Sequence, residues 1–113
     1  MEEYFTDDEL KCPCCGDLRF DHSFREKLNI ARQLAGIPFC VSSGYRCPAH
    51  NEAVGSKTEN HTRGQAVDIK CADATRRFII VKALTDVGVL GIGIYKTFIH
   101  GDISRLTPRI WLE

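Results

Sequence analysis

No charge of either sign dominates this sequence. Fifteen lysines and arginines meet fifteen aspartates and glutamates, and the formal net charge at pH 7 is zero. A neutral chain offers no basic face for nucleic acid and no acidic tail for a basic partner. Apolar runs are short as well. A bilayer-crossing helix takes about 20 apolar residues in succession, so no membrane span is expected. The first residues, Met1-Glu2-Glu3-Tyr4, are acidic and polar, where an export signal is basic and then apolar. The expectation is a chain made in the cytoplasm, or a mature form. Internal repeats and low-complexity tracts are lacking, and proline and glycine are scattered. The length fits a single domain over 1–113 with a modest core, expected to be a monomer.

Cysteine, by contrast, is plentiful for so short a chain: Cys12, Cys14, Cys15, Cys40, Cys47 and Cys71. Three readings stay open. The cysteines are reduced thiols, as in a cytosolic protein. Or one or more disulfides tie the Cys12–Cys15 cluster to Cys47. Or a structural zinc uses Cys12, Cys15 and two others. Against the third stands the spacing: metal knuckles usually come as paired Cys-x-x-Cys units, and the sequence has one, Cys12 to Cys15.

Helix and strand signals are segregated along the chain. Thr6-Asp-Asp-Glu9 matches a capping box and predicts a short helix. A longer helix is expected from Asp21 or Ser23, with Phe24, Leu28, Ala31 and Leu34/Ala35 at helical spacing and Gly36 as terminator. Ile37 to Ser42 reads as a strand. Residues 43–64 read as loop, with one helical turn at Pro48–Val54 closed by Gly55. A second long helix is expected from Asp73 or Thr75 to Val87, burying Phe78, Val81, Ala83/Leu84 and Val87. Gln65–Cys71 alternates like a strand. Residues 89–113 predict two or three antiparallel strands, with a turn at Tyr95-Lys96-Thr97 and a last strand at Arg109–Leu112. The class is therefore α+β: a small antiparallel sheet flanked by two main helices.

The chemistry is concentrated in three pieces: Ser43-Gly-Tyr45-Arg46, His61-Thr-Arg-Gly64-Gln-Ala66-Val-Asp68, and His100-Gly-Asp102. Ala66 and Asp68 lie two apart on a strand and share a face, as do His100 and Asp102. Gly64 permits a tight backbone that folds His61 back toward Asp68. Two neighbouring strands can then present His61, Asp68 and His100 to one metal. Catalytic zinc commonly takes three such ligands and keeps a position for water. Arg46 can bind a carboxylate through two parallel hydrogen bonds. Asp102 could act as general base or could orient His100. His22 reads as a first-turn surface residue and His50 as a non-ligand near the cleft. Tyr95 and Trp111 read as core or cleft wall.

This ordered set resembles the zinc D-Ala-D-Ala carboxypeptidases. Their relatives include vancomycin-resistance D,D-peptidases, phage L-alanyl-D-glutamate endolysins, murein endopeptidases and the hedgehog signalling domain. Within that group the chain is most similar to the small single-domain members. The likeness is carried by Tyr4-Phe5 with the acidic turn after it, Cys12-Pro-Cys14-Cys15-Gly16, Ser-Gly-Tyr-Arg-Cys-Pro, His-x-x-Gly-x-Ala-x-Asp, Gly91-Ile-Gly93-Ile-Tyr95 and the final His-x-Asp. It covers nearly the whole chain. The resemblance implies a zinc peptidase acting on peptidoglycan stem peptides, with His61, Asp68 and His100 on the metal and Ser43, Tyr45 and Arg46 in the substrate-binding segment. It also implies a carboxypeptidase or endopeptidase of phage or prophage origin, acting at the cell wall after release or carried in a virion. Three positions depart from the family. Glu59 stands where a serine is usual, and Thr97 and Phe98 stand where relatives carry a glutamate or a second histidine. The family's general base therefore has no counterpart, leaving Asp102, Glu59 or a residue not identified from the sequence. The same departure leaves room for a non-enzymatic zinc domain on this scaffold, used for binding or virion structure.

Overall fold

The computed structural model describes residues 2–104 and 106–113. Its elements follow in the order α1 (Asp7–Leu10), α2 (His22–Ala35), β1 (Val41–Ser43), α3 (Pro48–Ala53), β2 (Ala66–Lys70), α4 (Ala74–Asp86), β3 (Gly91–Ile94), β4 (Phe98–Asp102) and β5 (Arg109–Leu112). The local signals act where they stand. At α1, Thr6 accepts from the Glu9 amide and Glu9 reaches back to the Thr6 amide, completing the capping box. Asp21 and Asp73 cap α2 and α4 in the same way, each accepting an amide three residues on. α2 ends at Gly36 in the left-handed conformation.

One five-stranded sheet has the order β1-β2-β4-β3-β5. The neighbours β1/β2, β2/β4 and β4/β3 are antiparallel, but β5 runs parallel to β3. The sheet is thus mixed, which corrects the antiparallel expectation for residues 89–113. β4 ends at Asp102 beside Gly91, the first residue of β3, and β5 starts at Arg109 beside the same residue, so β5 runs parallel to β3. Nothing in strand periodicity encodes this choice.

Period-2 alternation splits the sheet into two faces. Val67, Ile69, Ile99 and Ile92 point to one side and are fully buried in the core with Phe24, Leu28 and Ala31 of α2 and Ile80, Ala83 and Leu84 of α4. The opposite face of the same strands carries Asp68, His100 and Asp102. The core therefore holds the strands from behind, and the polar residues are displayed in front. The buried face of α4 differs from expectation: Phe78 is 69% exposed and Ile80 takes its place. The run Phe78-Ile-Ile-Val81 offers apolar residues on every side of the helix, so spacing alone could not select the face. Leu34 is likewise exposed, with Ala35 packed against the core instead. β1 begins at Val41 rather than Ile37, although Phe39 is buried and the Cys40 carbonyl still accepts from the Lys70 amide.

Candidate active site

Strand register makes the site. Asp68 of β2 pairs with His100 of β4, and His100 pairs in turn with Gly93 of β3. His61 reaches the same point from the loop before β2. That loop closes on itself through Arg63 N–Glu59 O, Gly64 N–His61 O and Gln65 N–Asn60 O bonds. Gly64 sits at φ +69°, and a Cβ there would lie 2.1 Å from the Arg19 carbonyl oxygen. Only glycine lets the loop press against that segment and turn His61 inward.

The three expected ligands converge. His61 Nε2 lies 3.4 Å and His100 Nδ1 lies 3.0 Å from Asp68 Oδ1. One atom from each of the three residues falls within 4.8 Å of the others, and all three side chains are buried. Zinc bonds of about 2.0–2.1 Å in a tetrahedron place ligand atoms roughly 3.3 Å apart, close to both separations. Protonation also fits. His61 Nδ1 faces the Gly44 carbonyl at 2.8 Å, an acceptor only, so Nδ1 donates there and Nε2 is the nitrogen turned to Asp68 and available to a metal. His100 Nε2 faces Asp102 Oδ2 at 2.7 Å, which leaves Nδ1 for a metal. The donor set, two imidazoles and one carboxylate with an open side, suits zinc.

The surroundings hold these groups in place. Asp68 Oδ2 accepts from Arg46 Nη2 at 3.1 Å. Arg46 also donates from Nε to Ser43 Oγ at 3.0 Å and from Nη1 to Asn51 Oδ1 at 3.5 Å. Asn51 is itself tied to the Thr58 carbonyl. Asp102 is 1% exposed, and its second oxygen accepts from the Ser104 hydroxyl and amide. Both of its oxygens are therefore engaged. The glycines of β3 make room: a Cβ on Gly91 would come within 2.4 Å of the Asp102 carboxylate, and one on Gly93 within 2.7 Å of the Trp111 ring. The Gly-Ile-Gly sequence is the space that the carboxylate and the indole occupy.

A cleft of about 520 Å³ opens over the cluster, within the range of small-ligand sites. Its walls include Tyr95, Phe98, Trp111, Arg109, Lys57 and Asn60. Tyr95 and Phe98 stack at 4.3 Å, and the Arg109 guanidinium lies over Trp111 at 4.7 Å. Tyr95 and Trp111 are therefore cleft wall. Two residues expected at the substrate are placed elsewhere. Tyr45 is 3% exposed and does not line the cleft; its amide bonds the Leu10 carbonyl, so it packs the N-terminal segment. Ser43 supports Arg46 rather than facing the cleft. Glu59 is exposed and paired with Arg63, away from the cleft wall. His22 is a surface residue beside Glu26, and His50 lies on α3 outside the cleft. Asn51, Ser104 and Arg109 were not anticipated. Ser104 had a signal, since a hydroxyl two residues after an aspartate readily closes a local turn.

Electrostatics follow from this crowding. Burial works against a charged Asp68, but hydrogen bonds from His100 and His61 outweigh it and hold the carboxyl at about 2. Burial works against a charged His100, yet Asp102 and Asp68 outweigh it and raise the ring to about 9. In chelator-treated protein both His100 nitrogens then donate to carboxylates. A raised histidine stabilises the fold fully below about pH 6.5, and the contribution fades as pH rises toward 9. The depressed Asp68 contributes above about pH 4, and that contribution is lost as pH falls through 2. The chelated protein should thus lose thermal stability between pH 6.5 and 9. Zinc, which replaces the Nδ1 proton, should remove that alkaline loss. A melting series at several pH values with and without zinc checks it.

Two imidazoles and a carboxylate at the floor of an open cleft could together hold a metal ion. Residues 3–102 match the Peptidase M15 family, and the chain belongs to it. Peptidases of this family depend on zinc and act on peptidoglycan. Comparison with curated proteins returns no match. The family match ends at Asp102, so β5, with Arg109 and Trp111 on the cleft wall, lies outside it.

Proposed function

We propose that this chain is a zinc metallopeptidase that hydrolyses peptidoglycan stem peptides, as a D-Ala-D-Ala carboxypeptidase or an endopeptidase, in the service of a phage or prophage. The observation that carries the reading is the pair of 3.4 and 3.0 Å separations about Asp68 Oδ1, with each histidine's far nitrogen already bonded. His61, Asp68 and His100 would hold a zinc ion, which when bound would supply an acidified water and polarise the scissile carbonyl. Asp102 holds the His100 ring so that Nδ1 faces the metal position, the arrangement by which carboxylates orient ligating histidines. Arg46 balances the charge of Asp68. A guanidinium carries five N–H donors, and three are used by Ser43, Asn51 and Asp68. One remains on each terminal nitrogen, a fork suited to a substrate carboxylate. Lys57 and Arg109 add positive charge along the cleft.

Arg46→Lys tests the fork. Lysine keeps the charge and loses the planar donor pair. We expect kcat/KM on a D-Ala-terminated muropeptide to fall by about 10–100-fold, as for loss of a charge-assisted bond worth roughly 1.5–3 kcal/mol, with cleft zinc retained. The function itself is tested by incubating zinc-loaded protein with purified muropeptides and following cleavage by mass spectrometry. Products ending at a stem-peptide bond support the reading. Zinc binding without cleavage of any stem peptide would favour a non-enzymatic binding domain.

A further inference from the structure

We propose that Cys12, Cys14, Cys15 and Cys47 form a second metal site, a structural tetrathiolate centre for zinc, distinct from the cleft. The single Cys-x-x-Cys spacing argued against such a site, because a knuckle alone supplies too few ligands. The fold supplies the rest. Cys47, at the start of α3, is brought onto the Cys12–Cys15 turn, and one sulfur from each of the four cysteines lies within 4.8 Å of the others. Cys14 Sγ and Cys47 Sγ are 3.4 Å apart. Zinc–sulfur bonds of about 2.3 Å in a tetrahedron set sulfurs roughly 3.8 Å apart, so little movement is needed to close on an ion.

The backbone is arranged for charged sulfur. The Cys47 amide points at Cys12 Sγ, the His50 amide at Cys47 Sγ and the Asp17 amide at Cys15 Sγ, each at 3.4 Å. A thiol sulfur is a weak acceptor, whereas a metal-bound thiolate gains from such donors around it. The turn carrying the first three cysteines is closed by Gly16 N–Cys12 O and Cys12 N–Asp17 O bonds, both 2.8 Å. Cys40 and Cys71 lie outside the cluster, so the grouping is selective. A single disulfide would use only two of the four clustered sulfurs. Binding converts four thiols to thiolates and releases their protons to solvent, with no redox change.

The consequence reaches the cleft. Cys47 directly follows Arg46, and α3 carries Asn51, which binds Arg46. The Tyr45 amide bonds Leu10 along the same seam. A metal here staples the N-terminal segment to the loop that positions Arg46, in a domain small enough to need such a clamp.

The experiment is zinc analysis and cobalt substitution on full-length protein purified under reducing conditions. Wild type should hold two zinc ions per chain and His61→Ala/His100→Ala one. When cobalt replaces the remaining zinc, the near-ultraviolet thiolate-to-cobalt charge-transfer band should appear at full intensity. Wild type titrated with cobalt should give the same band, so the result does not depend on the variant folding. Cys12→Ser/Cys47→Ser should lose the band and one zinc. A wild type that shows no thiolate band would overturn the proposal. So would a Cys14–Cys47 disulfide peptide in a non-reduced digest of protein kept from oxidants. Neither outcome bears on the cleft, whose zinc is counted separately in the cysteine variant.

Discussion

His61→Ala/His100→Ala should lose the cleft zinc and the peptidase activity together. The two imidazoles supply two of the three protein ligands, and Asp68 alone cannot hold an ion against water. The metal's part in amide hydrolysis is worth several kcal/mol of transition-state charge stabilisation, so the rate should fall by about 10³-fold or more. The single variants should differ in kind. His61→Ala leaves the Gly44 carbonyl without its buried partner, whereas His100→Ala leaves Asp68 and Asp102 facing each other's charge with no imidazole between them. The second should therefore cost more fold stability at neutral pH. Elemental analysis, muropeptide turnover and a urea melt on each variant separate metal loss from unfolding. Activity that survives in a double variant shown to lack cleft zinc would refute the metallopeptidase reading.

How much of this was legible beforehand depends on what each residue's placement requires. The convergence of His61, Asp68 and His100 was readable because it rests on local rules: Asp68 and Ala66 share a strand face, His100 and Asp102 share another, and Gly64 folds the loop. The helix caps at Thr6 and Asp21 are local too. The residues that tune the site are different. Asn51 reaches Arg46 only because α3 lies against the loop, and Arg109 and Trp111 reach the cleft only because β5 pairs parallel to β3. Those are decisions of tertiary packing, invisible to periodicity. Tyr45 shows the converse. It belongs to Ser-Gly-Tyr-Arg, but its neighbour Arg46 lines the cleft while Tyr45 is buried, so one motif serves both the cleft and the packing of the N-terminus. The two faces of Phe78-Ile-Ile-Val81 were indistinguishable by spacing, and α2 decided between them.

Asp102→Asn should weaken cleft zinc while keeping the fold. The carboxylate could have been a base or an orienting group, and the geometry favours the second. A general base must reach the attacking water, but Asp102 Oδ2 is 2.7 Å from His100 Nε2 and Oδ1 is taken by Ser104. Burial opposes the charge on Asp102, and hydrogen bonds from His100 and Ser104 nevertheless hold its pKa down. Asparagine preserves the shape and can still accept through its carbonyl oxygen, but it no longer offers charge to the imidazole. The His100 ring becomes a poorer donor to metal, and zinc affinity should drop by about 10–100-fold, the usual cost of removing such a partner. At saturating zinc, turnover should recover to near the wild-type value. A general base would behave otherwise: zinc affinity would hold and kcat would fall by about 10²–10⁴-fold at any zinc concentration. Measuring kcat across a zinc titration in a metal buffer reads both quantities in one experiment, and a low plateau with unshifted zinc dependence would return Asp102 to the base role.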